Sequence, residues 1–445
     1  MSDGNELKPT ATPAEEPPPT ELGATLDRAA PSTSGTSSPA AASLRGLQLR
    51  PDARRYLMGS CVMGVSFTFP FTLLAIYVDL LGFDKSQVGL VASGQPWGQV
   101  LAAAPAALLL ARYSTRSVLA CSAMASGVFY ATLPWMPGLA GLFTLNLLAG
   151  FAWAIHFTAG APFLYRQSER EGRTLLFSIV ESFRMFASVL GAILAGRLAV
   201  RLTEHFSDEV AGHAWALSVA GMFPALATLI YLRIQEQPPP RDQRPSLWAT
   251  LREHKGLVGR FVAPQLLISL GSGMTIPFMS LYFRERFGFS SGEVGDLFGV
   301  GQVLMACGFL SGPVLMARLG PVRSMMAVQL LSIPFFLTLA GAQIAWLAAG
   351  AYLLRTMFMN ASHPVLKTFL MEASPAGLRE LQNALLMSLW GLGWVVGPLI
   401  GGRVLESTGN DYAVLMYVTI GFYVTASATM WFTLRPVEAG TRPAK

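Results

Sequence analysis

The feature that most constrains this chain is a succession of apolar runs, each about 18 or more residues long and almost free of charge. A helix of roughly 20 such residues spans a hydrocarbon core of about 30 Å. A soluble fold would have to bury all of these runs in a core larger than one domain builds. Only 13% of the residues are charged and 52% are hydrophobic, whereas soluble domains carry about 25% charged residues. The sequence therefore predicts an all-α membrane protein.

Twelve segments are predicted, at about 56–80, 87–111, 117–135, 138–164, 174–199, 212–232, 261–283, 292–316, 321–341, 344–366, 381–404 and 412–434. Residues 1–50 are rich in Pro, Ala, Ser, Thr and Glu and poor in aromatic residues, so they cannot bury enough surface to order themselves. Their acidic start has no apolar core and is not a secretory signal. The expected organisation is a disordered cytoplasmic tail over 1–50 and a six-helix bundle over 51–233. A cytoplasmic linker over 234–259, with Gln237-Pro-Pro-Pro-Arg241 and an amphipathic stretch near Trp248, leads to a second bundle over 260–435 and a tail over 436–445.

Lysine and arginine placement sets the orientation. One side holds Arg54, Arg55, Arg112, Arg116, Arg166, Arg170, Arg173, Arg233, Arg241, Arg244, Arg252, Lys255, Arg260, Arg318, Arg323, Lys367 and Arg379. The other keeps Lys85, Arg197, Arg201, Arg284, Arg286 and Arg403. The bias predicts an even number of helices in a cell inner membrane, with both termini cytoplasmic. A net charge of +6 spread through short loops does not point to nucleic acid. Cys61, Cys121 and Cys307 form no CxxC pair and are expected to be buried small residues rather than a disulfide or metal site.

The chain also repeats itself at a constant offset of 206 positions. Gly82-Phe83 matches Gly288-Phe289, Val88-Gly89 matches Val294-Gly295, and Arg112 matches Arg318. Ser182 matches Ser388, Gly191 matches Gly397, and Gly196-Arg197 matches Gly402-Arg403. Pro70 and Pro277, and Pro162 and Pro364, pair at slightly different spacing. Six helices return the chain to its starting side, so the halves are parallel repeats about an axis along the membrane normal.

In these residues the pattern resembles the major facilitator superfamily over 51–435. The run Gly312-Pro-Val-Leu-Met-Ala-Arg318-Leu-Gly320 is similar to the superfamily's loop motif, and Leu110-Ala-Arg112-Tyr-Ser114 is a weaker copy. Ala111 and Ala317 replace the motif's aspartate, and Ser114 its second glycine, so the cytoplasmic latch that the aspartate makes in the superfamily is in doubt. Segment 11 carries Gly391-Leu-Gly393-Trp-Val-Val-Gly397-Pro398-Leu-Ile-Gly401-Gly402, which resembles the glycine–proline motif that antiporters of the superfamily carry in helix 5. Here helix 5 has Gly191 and Gly196 without the proline, and plain helix packing explains the small residues equally well. The resemblance implies a twelve-helix fold in which helices 1, 4, 7 and 10 line a central cavity.

Charges inside a bilayer are costly and face a cavity or a partner. Glu181 and Arg184 in segment 5 stand at i, i+3 and are close enough to pair. They form either a proton-exchanging carboxylate with the cation that tunes it, or a structural ion pair. Their counterparts in the repeat are Met387 and Trp390. Arg355 in segment 10 takes its partner from another helix, Glu181 among the options, or from an anionic substrate. Asn146, Trp153 and His156 in segment 4, with Asn360 and His363 in segment 10, complete the candidate pathway; His156 is a proton ligand or a packing residue. Gln95, Gln265 and Gln302, and the aromatic residues Phe67, Phe69, Phe71 and Trp97, are weaker candidates. Arg173 and Arg379 are expected to anchor headgroups.

No G-x-x-x-x-G-K-[ST] motif is present, so an ion gradient or the solute itself supplies the energy. No cofactor or metal is expected, and the chain is expected to act as a monomer in the lipid bilayer. The leading expectation is proton-coupled efflux of a small organic molecule by alternating access. The alternatives are uptake of a sugar or organic anion, a non-transporting receptor on the same scaffold, and a membrane-embedded transferase. The last is disfavoured because clustered catalytic acids and histidines are lacking.

Overall fold

The computed structural model describes residues 50–136, 138–167, 173–235, 255–374 and 379–441. The tail over 1–49, Arg170, the linker residues 236–254 and the last four residues lie outside them, as do the side chains of Arg173 and Arg379. Among the described residues there is no strand.

The helical rods are α1 (Pro51–Leu80), α2 (Lys85–Arg112), α3 (Thr115–Thr132, prolonged by a 3-10 turn to Trp135), α4 (Gly138–Gln167) and α5 (Arg173–Phe206). α6 runs in two pieces, Glu209–Ala220 and Met222–Tyr231. α7 runs in three, Lys255–Thr275, the 3-10 turn Ile276–Phe278, and Met279–Phe287. α8 (Ser291–Leu319), α9 (Pro321–Gly341), α10 (Ala345–Ala373), α11 (Arg379–Ser407) and α12 (Tyr412–Thr441) complete the bundle. Among the described residues, nine of the rods are long and apolar enough to cross a membrane. α2, α10 and α11 fall outside that set; in α10 the reason is visible, because Arg355, Asn360 and His363 interrupt its apolar run.

The 206-residue repeat is written into the local structure. Gly82 and Gly288 both turn the chain with positive φ, +86° and +69°, a conformation that costs a residue with a side chain about 1–2 kcal/mol. Two residues later each half starts a helix with a capping box, Asp84 with Gln87 and Ser290 with Glu293, which satisfies otherwise unpaired N–H groups. Tyr77 donates to the Pro134 carbonyl and Tyr282 to the Leu339 carbonyl, both at 2.6 Å.

The halves meet along two seams, α5 against α8 and α11 against α2. The repeat relates these seams to each other. A Cβ on Gly196 would lie 2.2 Å from the Ser291 carbonyl oxygen, and one on Gly402 would lie 2.4 Å from that of Lys85. A Cβ on Gly295 would lie 2.5 Å from the Ala192 oxygen, and one on Gly89 would lie 2.2 Å from that of Pro398. Lipid is as apolar as the helix surfaces, so close backbone approach rather than the hydrophobic effect drives this packing.

Large apolar side chains cover the outer face, Leu310, Trp346 and Phe432 among them. Cys121 and Cys307 stand on that exposed face and Cys61 is half-buried, which corrects the expectation that all three are interior packing residues. In a lipid-facing wall a small apolar side chain is as acceptable outside as inside.

Candidate functional site

An interior cavity of about 130 Å³ lies between the halves. Phe71 of α1 closes it from the first half; α7, α8, α10 and α11 supply the rest of its lining. Arg355 of α10 forms part of its lining and is only 4% exposed. Its Nη2 donates to the Tyr423 hydroxyl at 2.6 Å, and the guanidinium carbon sits 4.7 Å from the centre of the Phe336 ring. Tyr423 is held in turn by Ser272, whose hydroxyl lies 2.7 Å from its own.

Arg355 Nε has no hydrogen-bond partner, and neither does Trp394 Nε1 of α11 or Thr356 Oγ1 of α10. All three residues line the cavity, and no carboxylate does. An arginine at mid-membrane depth costs about 2.5–3.5 kcal/mol even on the most lenient scale. A cation–π contact returns about 0.5–2 kcal/mol and a hydrogen bond to a charged group about 1.5–3 kcal/mol, so Phe336 and Tyr423 together offset a cost of that size without neutralising the charge.

The other α10 candidates line the same cavity. Asn360 donates from Nδ2 to the Thr356 carbonyl at 2.8 Å, and the His363 ring packs edge-on against Trp390 at 5.0 Å. Gln302 joins them from α8. A smaller cavity of about 60 Å³ shares Phe71 and Trp394 with the first. It is lined by Asn146, Gln95 and the repeat-related Pro70 and Pro277. Asn146 donates to the Val91 carbonyl at 2.7 Å and leaves its Oδ1 unpartnered.

The remaining first-half candidates sit elsewhere. Arg184 grips Glu181 through Nε at 3.1 Å and through Nη2, so the pair closes within α5 and Arg355 does not join it. Glu181 keeps 52% of its side chain exposed. Trp153 stacks on Phe67 at 4.7 Å, outside both cavities. His156 is buried among Tyr56, Trp153 and Tyr231, with Nε2 at 3.4 Å from the Tyr231 hydroxyl.

One end of the bundle is tied shut. Hydrogen bonds and ion pairs join the halves at the end away from the start of α1. Lys85, paired with Asp79 in its own half, crosses to Glu285, which also accepts from Tyr412 of the second half at 2.9 Å, and Arg284 meets Glu209 across the halves at 2.7 Å. Arg197 meets Asp296 through two nitrogens at 3.1 and 3.2 Å, and His213 lies 2.7 Å from the Ser291 hydroxyl.

The family model described as Major Facilitator Superfamily matches residues 56–265 and 261–445, once per half. The chain belongs to the major facilitator superfamily. Over 395 residues it is 23% identical to the voltage-gated purine nucleotide uniporter SLC17A9 of Rattus norvegicus, covering 82% of this chain and 85% of that one. Multidrug resistance protein MdtG of Dickeya zeae is 27% identical over 187 residues, 40% of this chain, and the match spans only 44% of MdtG. Among solved structures, a bacterial homologue of the human lysosomal transporter Spinster, inward-facing and unoccupied, superposes with a TM-score of 0.76 at 14% identity. It covers 88% of this chain and 98% of that one. Nucleoside transporter NupG gives 0.71 at 16% identity, with 87% and 100% covered.

Within the superfamily pattern the loop motif takes its own form here. Gly320 turns between α8 and α9 with φ +83°, as the motif's last glycine would, while Ser114 instead caps α3 by accepting from Ser117 N–H. Arg112 and Arg318 are exposed and make no ion pair among the described residues. Of the α11 glycines, Gly393, Gly397 and Gly401 pack on Ser269, Gly273 and Met274 of α7 inside one half, and Gly191 packs on Val65 and Thr68 of α1. Pro398 and Gly402 face α2 across the seam. The cavity is lined by α8 and α11 besides α1, α7 and α10; α4 reaches only the smaller one, through Asn146, which modifies the superfamily expectation. Sequence reasoning passed over Thr356, Trp394, Tyr423 and the Lys85–Glu285 pair. Only Trp394 carried a signal, lying between the motif glycines.

Proposed function

We propose that this protein is a secondary active transporter that moves a small organic solute by alternating access, coupled to protons and running outward. The observation that carries the reading is a cavity walled by both halves, centred on a buried cation and lying beside two symmetric glycine seams. With both termini cytoplasmic, as the arginine bias indicates, the charge ties lie on the outer side and the conformation is inward-open. The names of the relatives, multidrug resistance for MdtG and purine nucleotide uniport for SLC17A9, fit an organic solute.

The solute pathway in this reading runs past Asn360, His363 and Arg355, with Asn146 beyond. Glu181, half exposed and gripped by Arg184, is the proton-exchanging carboxylate in this reading. Uptake of an organic anion is the second reading, favoured by the unbalanced charge of Arg355; it shares the site and differs in direction.

Reconstituted vesicles with an imposed pH gradient test the proposal. Solute-driven proton movement across a panel of organic solutes is the expected result. Absence of flux with every solute class overturns the transport reading in favour of a receptor role.

A further inference from the structure

We infer that the Arg355 cavity binds a small aromatic monoanion, its acid group received by Arg355, Trp394 and Thr356 and its ring held by the aromatic wall. The inference rests on the transporter reading and names the solute class for its site.

The donors demand an acceptor. Arginine and the indole N–H can only donate, and Arg355 Nε and Trp394 Nε1 are buried with nothing to donate to. Thr356, next to Arg355 on α10, adds a hydroxyl without a partner. A buried unsatisfied donor carries a desolvation penalty of about 1–3 kcal/mol, larger for a charged group. These three atoms belong to side chains that line one cavity. Water would satisfy the hydrogen bonds yet leave the charge of Arg355 unbalanced. A carboxylate or similar acid group supplies acceptors and charge together, in bonds about twice as strong as neutral ones.

The remaining lining fits a flat apolar ring. Phe71, Phe298, Tyr352 and Trp390 stand around the donors, with Phe298 and Tyr352 stacked at 5.6 Å. Size agrees too, since a dry cavity of about 150 Å³ takes one benzene ring and this one holds about 130 Å³.

Equilibrium binding to the full-length protein in lipid nanodiscs, with benzoate, benzamide and acetate as probes, tests this. Benzoate should bind saturably, and benzamide, which lacks the charge, and acetate, which lacks the ring, should each bind at least about 10-fold more weakly. Arg355→Gln should erase the preference for benzoate over benzamide. Should that variant not fold, Arg355→Lys should keep the preference at reduced affinity, because it retains the charge without the fork. Trp394→Phe should weaken benzoate about 3- to 10-fold and leave benzamide unchanged. Equal binding of benzoate and benzamide, no benzoate binding, or benzoate binding indifferent to Arg355→Lys and Trp394→Phe would each overturn the inference. Counterflow of uridine or xylose without benzoate competition would sink the anion class while leaving transport intact; no flux of any solute would sink transport itself.

Discussion

The Tyr423 hydroxyl accepts a hydrogen bond from Arg355 Nη2 at 2.6 Å, and this contact from α12 anchors a buried cation of α10 beside the cavity it helps to line. A hydroxyl leaves the charge of its partner intact, whereas a carboxylate in its place would neutralise it. Tyr423→Phe keeps the ring and removes the anchor. We expect solute affinity to fall about 10-fold, with the melting temperature within a few degrees of wild type. A titration of both proteins with the transported solute measures it, and unchanged affinity would show that Phe336 alone positions the guanidinium.

Lys85 holds two acids, Asp79 and Glu285, while only 8% of its side chain is exposed. Lys85→Ala leaves both carboxylates facing each other without a cation. The tied end should lose about 2 kcal/mol, roughly a 30-fold shift in the conformational ratio. Distance measurements between spin labels on α1 and α7 at the tied end should show the new population. A matching label pair within one half should not move.

Arg197 and Asp296 form the exposed member of the same set, at 64% and 43% side-chain exposure. Solvent screens such pairs, so Arg197→Ala should change transport little. A charge reversal, Arg197→Asp, should slow it more, and the compensating swap Asp296→Arg should restore it. Rates for the three variants at low and high salt decide this, since only a Coulombic effect fades as salt rises.

The glycine seams make a steric prediction. Gly196→Ala and Gly402→Ala each place a methyl group within 2.4 Å of a backbone oxygen, so either should part the halves and open the tied end. Gly421→Ala, where nothing lies within 4 Å, is the control and should be neutral. Accessibility of an engineered cysteine lining the cavity, probed from each side of the membrane, reports the shift.

Glu181→Gln should abolish proton-driven accumulation and leave solute exchange running. Loss of expression instead would assign the Glu181–Arg184 contact to folding. Comparing driven uptake with counterflow in one vesicle preparation separates the outcomes.

Much of the fold was legible because a bilayer permits few structures. Long uncharged runs must be helices there, since every backbone polar group needs a partner inside its own segment. The offset joining Gly196 to Gly402 and Gly89 to Gly295 already paired the positions that now form two equivalent seams. The individual charges were also legible as candidates, because a charged residue in such a run is rare.

Their partners were not. A membrane helix is apolar toward lipid and toward its neighbours alike, so its sequence carries little sign of which face turns inward. Glu181 and Arg355 are both carried by apolar helices, yet one closes a pair within its own helix and the other stands against Tyr423. Trp394 looked like a residue between packing glycines, and only the approach of α10 to α11 brings its N–H to the cavity of Arg355. The sequence by itself determined the helices, their repeat and the charges that need an explanation. The tertiary structure alone decided which polar groups meet, because helix rotation in an apolar solvent is set by packing between helices.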